Sequence, residues 1–177
     1  MFGKYNNVID MEVLEILRKL KKQNMLSKEH LEFHGVPIEG PFFNLFAKFE
    51  DLGFEESPIP RSENMMFMRN PSDDNDMAIM AAIGEPSMLA YEIREMFPVK
   101  NIDAEKVKEE KLSELKRELQ TVDVPSEESE RLLVMKDGKY TGVITAEIWE
   151  TEDDSSYVAV TYTDAQCRFE HENKDFE

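Results

Sequence analysis

The chain is poor in the residues that most enzyme chemistry relies on. Its 177 residues include one cysteine, three histidines and seven glycines. A lone Cys167 excludes an intrachain disulfide and fits a reducing compartment. Glycine is too sparse for the loops that cradle phosphates or dinucleotides. No G-x-S-x-G, P-loop or G-x-G-x-x-G pattern occurs. Three histidines leave little general-base capacity unless carboxylates do that work. No apolar run reaches the length of a membrane span. The N-terminal MFGKYNNVID has no apolar core of the signal-peptide kind. A cytoplasmic protein with no membrane partner and no cofactor is the expectation.

Positive charge is scarce too. Lys and Arg total 21 against 38 Asp and Glu, for a net charge of −17. From Thr121 to Glu177 there are 15 acidic and 5 basic residues, so this last third carries much of the excess. An acidic surface repels the phosphate backbone, which argues against direct nucleic-acid binding. Apolar residues still make up 41% of the chain, with 11 Phe, 5 Tyr and 1 Trp. That is enough for a packed core rather than a disordered chain.

Hydrophobic periodicity predicts an α+β protein: a helix-rich N-terminal part with short strands, then a C-terminal antiparallel β-meander. Asp10 reads as the cap of a first helix bearing Met11, Val13, Leu14, Ile16, Leu17 and Leu20. Ser27 to Phe33 reads as a short second helix stopped by Gly35. Pro41 opens a third, carrying Phe42, Phe43, Phe46 and Phe49 and closed by Gly53. Met65 to Arg69 reads as a strand, Met77 to Ile83 fits either a buried strand or a helix with strand preferred, and Pro86 to Phe97 reads as a helix. A charged helix from Asp103 to about Gln120 has only a thin apolar stripe. Asp137-Gly138 marks a hairpin between Arg131–Met135 and Lys139–Trp149. Tyr157 to Thr163 follows as a strand, and Gln166 to His171 as a further one. The whole reads as one domain, 1–177. Residues 121–130 could serve as a linker between sub-lobes 1–120 and 131–171.

Four groups of residues invite a chemical reading. His30 and His34, four apart on the expected helix, could share a face and hold zinc. The H-E-x-x-H pattern fails because position 31 is Leu, and a third ligand such as Cys167, His171 or an acid would have to come from elsewhere. Asp73, Asp74 and Asp76 resemble part of a calcium loop, but Ala78 or Ile79 stands where an EF-hand needs glycine. A solvated turn explains them better. The methionines Met65, Met66, Met68, Met77 and Met80 suit either an adaptable surface or core strands, and core is the simpler account. Lastly, Glu150, Glu152, Asp153 and Asp154 form an acidic loop flanked by Trp149 and Tyr157. Carboxylates beside aromatic anchors can recognise Arg and Lys on another protein.

Together these features point to an acidic, non-enzymatic protein-binding module. Its partner would be a basic protein, such as a nuclease or other nucleic-acid-binding enzyme, masked in the manner of an inhibitor, an immunity or antitoxin protein, or a chaperone. A structural protein assembling through its apolar helices is the alternative, and a carboxylate- or metal-dependent enzyme the second alternative. No motif specifies an oligomeric state.

Overall fold

The computed structural model describes residues 7–57, 65–70, 77–83, 89–124 and 130–175. Among them, four helices and ten strands occur in the order α1 (Asn7–Lys22), β1 (Glu32–Phe33), β2 (Val36–Pro37), α2 (Phe42–Asp51), β3 (Glu55–Glu56), β4 (Met65–Arg69), β5 (Met77–Ile83), β6 (Leu89–Lys100), α3 (Ala104–Glu118), β7 (Thr121–Val124), β8 (Glu130–Lys136), β9 (Lys139–Glu150), β10 (Ser155–Asp164) and α4 (Ala165–Asp175). The fold is mixed α+β. Strands β3 to β10 form one antiparallel sheet in the order β3-β4-β5-β6-β10-β9-β8-β7, and β1 and β2 form a separate small hairpin. The mid-chain strand β6 lies against the last strand, β10, so the sheet runs without a break from β3–β6 into the C-terminal meander.

Both faces of this sheet are covered. On one face α2 and α3 bring Leu45, Phe46, Phe49, Leu112 and Leu115 onto Met66, Met68, Ile93, Leu132, Ile144, Val158 and Val160. The β1–β2 hairpin plugs this core with Phe33, whose ring meets Phe49 and Tyr162 edge-on at centroid distances of 5.3 and 5.1 Å. On the other face Val13, Leu14, Leu17 and Leu20 of α1, with Ala165 and Phe169 of α4, pack on Leu133 and Val143. A third cluster on that face joins Phe67, Met96 and Ala159 to half-buried Met65, Trp149 and Tyr157. Met66 and Met68 are fully buried, which makes these two methionines core residues.

Three expected elements are different in the structure. Ser27 to Phe33 is not a helix. Residues 31–38 alternate apolar and polar, and His34-Gly35, with φ of 50° and 80°, closes the β1–β2 hairpin. Positive φ at both central residues is the type I′ requirement, so Gly35 is a turn glycine and not a helix stop. Leu89 to Phe97 is a strand although its apolar residues recur at helical spacing. Pairing with β5 and β10 buries both of its sides, charged residues included, and overrides local propensity. Pro98 is tolerated because β5 pairs only as far as Met96, which leaves Pro98 bonded on one side alone. Gln166 to His171 belongs to α4. Asp164, the last residue of β10, caps it by accepting the Cys167 N–H at 2.9 Å.

Smaller differences follow the same logic. Helix α1 starts at Asn7, three residues before Asp10. Within 121–130, residues 121–124 form edge strand β7 against β8, so the first part of the expected linker belongs to the sheet. The Asp137-Gly138 hairpin forms as expected, with φ of 53° and 80°. Asp73, Asp74 and Asp76 lie outside the described residues.

Helix α2 gives a direct test of this packing. Phe49 is fully buried, whereas Phe43 is 49% exposed on the same helix. Phe49→Ala is expected to cost about 3–5 kcal/mol in urea denaturation. Phe43→Ala should cost less than about 1 kcal/mol. Equal losses would mean that α2 presents a different face to the sheet.

Candidate functional site

The two histidines read as a pair part company. His30 lies in the turn before β1, and His34 at the tip of the β1–β2 hairpin. Each joins a different carboxylate, so the expected shared helical face does not exist.

His30 joins a closed clasp at the start of α4. Its Nδ1 is 2.8 Å from Asp164 Oδ2, and its Nε2 is 3.3 Å from Glu39 Oε2. Asp164 is fully buried and also accepts the Leu31 N–H on Oδ1 at 2.7 Å. Cys167 Sγ lies 3.8 Å from His30 Nδ1 and donates to the Ile38 carbonyl at 3.4 Å. The clasp thus ties the segment before β2 to the junction of β10 and α4. His30, Asp164 and Cys167 place one nitrogen, one oxygen and one sulfur within 4.8 Å of each other, a donor set that suits zinc. Sequence reading had named Cys167 as a possible third ligand, but with the wrong histidine beside His30. As the site stands, both Asp164 oxygens already accept hydrogen bonds and the thiol donates one. Burial pushes the Cys167 thiol up, and the nearby Asp164 carboxylate pushes it further. It is therefore a neutral thiol and no nucleophile at neutral pH. Asp164 and Cys167 both approach Nδ1, so the set also lacks the relay order of a Cys-His-Asp triad, in which the two partners take opposite ring nitrogens.

The second carboxylate is Glu95. It sits in β6 between Ile93 and Phe97, on the face that packs against α3, where the neighbouring strand offers Val160. Its side chain is 7% exposed. Tyr162 donates to Oε1 at 3.5 Å and His34 Nε2 is 3.4 Å from Oε2, both long contacts. These three residues line a cleft of about 290 Å³ beside α3. Phe97, Leu115 and Val160 supply apolar wall, and Lys111, Glu114 and Glu118 also line it. Sequence reading missed Glu95 because it sat within an expected helix. The available signal was a charge amid apolar residues in a segment bounded by strands.

The acidic loop forms a tight hairpin end between β9 and β10. Asp153 Oδ1 accepts from Thr151 Oγ1 at 2.6 Å and from Ser155 Oγ at 2.7 Å. Those hydroxyls hold the Asp153 carboxyl below its ordinary range, which favours its charged form. Glu150, Glu152, Asp153 and Asp154 are all exposed. The flanking aromatics lie differently. Trp149 and Tyr157 are half-buried cross-strand neighbours on the sheet face, with the Arg94 guanidinium 5.1 Å from the Trp149 ring centroid. The prominent apolar residue at this end is Ile102, which sequence reading did not single out. It is 89% exposed in the turn after β6. That turn is bound to the loop through Asn101, whose N–H donates to the Asp154 carbonyl at 3.2 Å and whose side chain accepts from Ser156 Oγ.

Comparison of the chain with protein-family models, with curated proteins and with solved structures found no match. Among the described residues, no helix is long and apolar enough to cross a membrane.

The clasp makes a pH prediction. The Asp164 hydrogen bond raises the His30 pKa above its ordinary 6.5, against a smaller opposing effect of burial. The folded protein then holds this proton more tightly than the unfolded chain. Its stabilisation is fully present below the ordinary value and is lost as pH rises through the raised one. Urea denaturation of the wild type and of His30→Gln from about pH 6 to about pH 8.5 should give a stability difference that shrinks with rising pH. Parallel profiles would show that His30 carries no proton linkage.

Proposed function

We propose that this chain is an acidic, non-enzymatic binding module that masks a basic surface of a partner protein with the loop end of its sheet. The observation that carries the reading is Ile102, an almost fully exposed aliphatic side chain hydrogen-bonded through its neighbour to a rigid loop of four exposed carboxylates. Loop and turn are held together before any partner arrives, which lowers the ordering cost of docking. A net charge of −17 steers a basic partner toward the molecule. The carboxylates of Glu150, Glu152, Asp153 and Asp154 then pair with Lys and Arg around an apolar anchor. Full burial of such an anchor contributes about 1.5–3 kcal/mol. Trp149 and Tyr157 sit one step in from the loop and stiffen its base by packing on Met96 and Ala159. A nuclease or another nucleic-acid-binding enzyme presents the basic groove that such an end would cover, as an inhibitor, an immunity-type protein or a chaperone does.

The test is capture at low salt with the immobilised protein, eluted by a salt gradient and repeated with two variants. The wild type should retain one basic protein in stoichiometric amount and release it with salt. Neutralising Glu150, Glu152, Asp153 and Asp154 to their amides should abolish capture. Ile102→Ser should weaken affinity about tenfold or more while leaving the salt dependence in place. For the purified pair, the association rate should fall steeply between low and physiological ionic strength. An empty eluate, or capture indifferent to salt and to both variants, would overturn the reading and favour self-assembly.

A further inference from the structure

A carboxylate on the apolar face of a sheet needs a physical reason. Glu95 occupies a position whose neighbours along β6, Ile93 and Phe97, belong to the main core. Burying an ionised carboxylate is costly unless a cation or several good hydrogen bonds satisfy it. The other buried acid of β6, Glu92, is matched by Arg94 at 2.8 Å, with both side chains under 5% exposed. Glu95 has no such match. Among the described residues no Lys or Arg nitrogen lies within 4.0 Å of it, and its two polar contacts, to Tyr162 and His34, are long. Lys111, the ammonium lining the same cleft, is held on the cleft wall rather than on Glu95: it lies 4.2 Å from the Phe97 ring centroid and 4.0 Å from Glu114.

The surroundings of Glu95 define what would satisfy it. It faces a cleft of about 290 Å³, large enough for a short alkyl chain with a polar head. The aromatic Phe97 and Tyr162 line that cleft with aliphatic Leu115 and Val160, and Glu114 and Glu118 add negative charge. Aromatic faces and carboxylates both favour organic cations. Inorganic divalent ions need several converging oxygens instead. Of the cleft's acids only Glu95 is deeply buried, since Glu114 and Glu118 are exposed. We infer that the cleft between β6, β10 and α3 binds an alkylammonium or alkylguanidinium group, with its cationic head on Glu95 and its stem against Leu115 and Val160. Tyr162 and the half-exposed His34 orient the Glu95 carboxylate from the side. Such a head group occurs both on free small amines and on the Lys or Arg side chains of a protein.

This site is separate from the Ile102 end and does not depend on the masking reading. Solution NMR titration of the full chain with n-butylguanidinium and n-butylammonium should shift resonances of Leu115 and Val160. The neutral isostere n-butylurea should bind at least about tenfold more weakly. Glu95→Gln keeps the shape and removes the buried charge, so it is expected to fold, with an unchanged circular dichroism spectrum, and to lose about tenfold or more in affinity for the cations. Equal binding of n-butylurea, undiminished binding by Glu95→Gln, or no shift at Leu115 and Val160 at millimolar cation would each overturn the inference. A blocked Gly-Arg-Gly peptide separates the sources. Binding at least as tight as that of n-butylguanidinium assigns the cleft to a protein side chain, and markedly weaker binding assigns it to a free amine or guanidine. Neutralising the 150–154 loop should leave every one of these affinities unchanged, so each reading can fail without the other.

Discussion

In the register of β6 against β10, Glu95 stands beside Val160, Arg94 beside Thr161, and Met96 beside Ala159. Every feature with chemical interest hangs from that pairing. It joins strands β3–β6 to the C-terminal meander and, with β5 on the other edge, buries β6 on both sides. A slip of one residue would exchange the two faces, sending Arg94 toward α3 and Glu95 toward the opposite side. On its other edge β10 pairs with β9 as far as Asp164, opposite Gly142. Asp164 lies beside Leu31 and His30, and the far end of the hairpin lies beside the turn that holds Ile102. The clasp, the cleft and the acidic end are three consequences of one strand pairing.

The excess negative charge is accommodated by position. Most carboxylates are exposed, where water screens them. Of the four buried ones among the described residues, Glu92, Glu95, Glu147 and Asp164, three have surroundings already described: Glu92 meets Arg94, Asp164 accepts two backbone N–H groups and touches His30, and Glu95 faces a cleft. On the α1 side of the sheet, buried Arg131 reaches back to Glu12 of α1. These arrangements leave the interior close to electrically balanced while the surface is strongly negative. The loop at residues 150–154 goes further, because its hydroxyls stabilise charge at Asp153 where a disordered loop would not.

Local signals revealed what local forces decide. The α1, α2 and α3 helices, the Asp137-Gly138 turn and the strand at Met65 all follow from periodicity, glycine position or composition within a short window, whereas MAIMAAI at Met77 to Ile83 is apolar throughout and fits a buried strand or a helix equally by period. Of the three misread elements, one is decided by partners distant in sequence and two carried local signals that were outweighed. Leu89 to Phe97 has apolar residues at helical spacing, and only its two strand neighbours make it a strand. His34-Gly35 was legible as a hairpin turn, since Leu31, Phe33, Val36 and Ile38 alternate around it. Asp164 before Ala165 was a legible helix cap that the nearby strand pattern obscured. Of the sites, the carboxylates of the acidic loop could be read from composition. The neighbours of His30, the exposure of Ile102 and the burial of Glu95 beside a cleft are tertiary facts and leave no trace in a single sequence.

Asp164 ends β10 and caps α4, with no residue between strand and helix. A junction of zero length has no slack. Inserting a single residue at this point would turn α4 by about 100° around its axis and draw Phe169 away from α1. The exposed turns at Asp137-Gly138 and Lys136 could accept extra length at little cost. Length variation in proteins built on this plan should therefore collect at the hairpin ends and be absent from the β10–α4 corner, which makes that corner the most useful landmark for recognising a distant relative by its architecture.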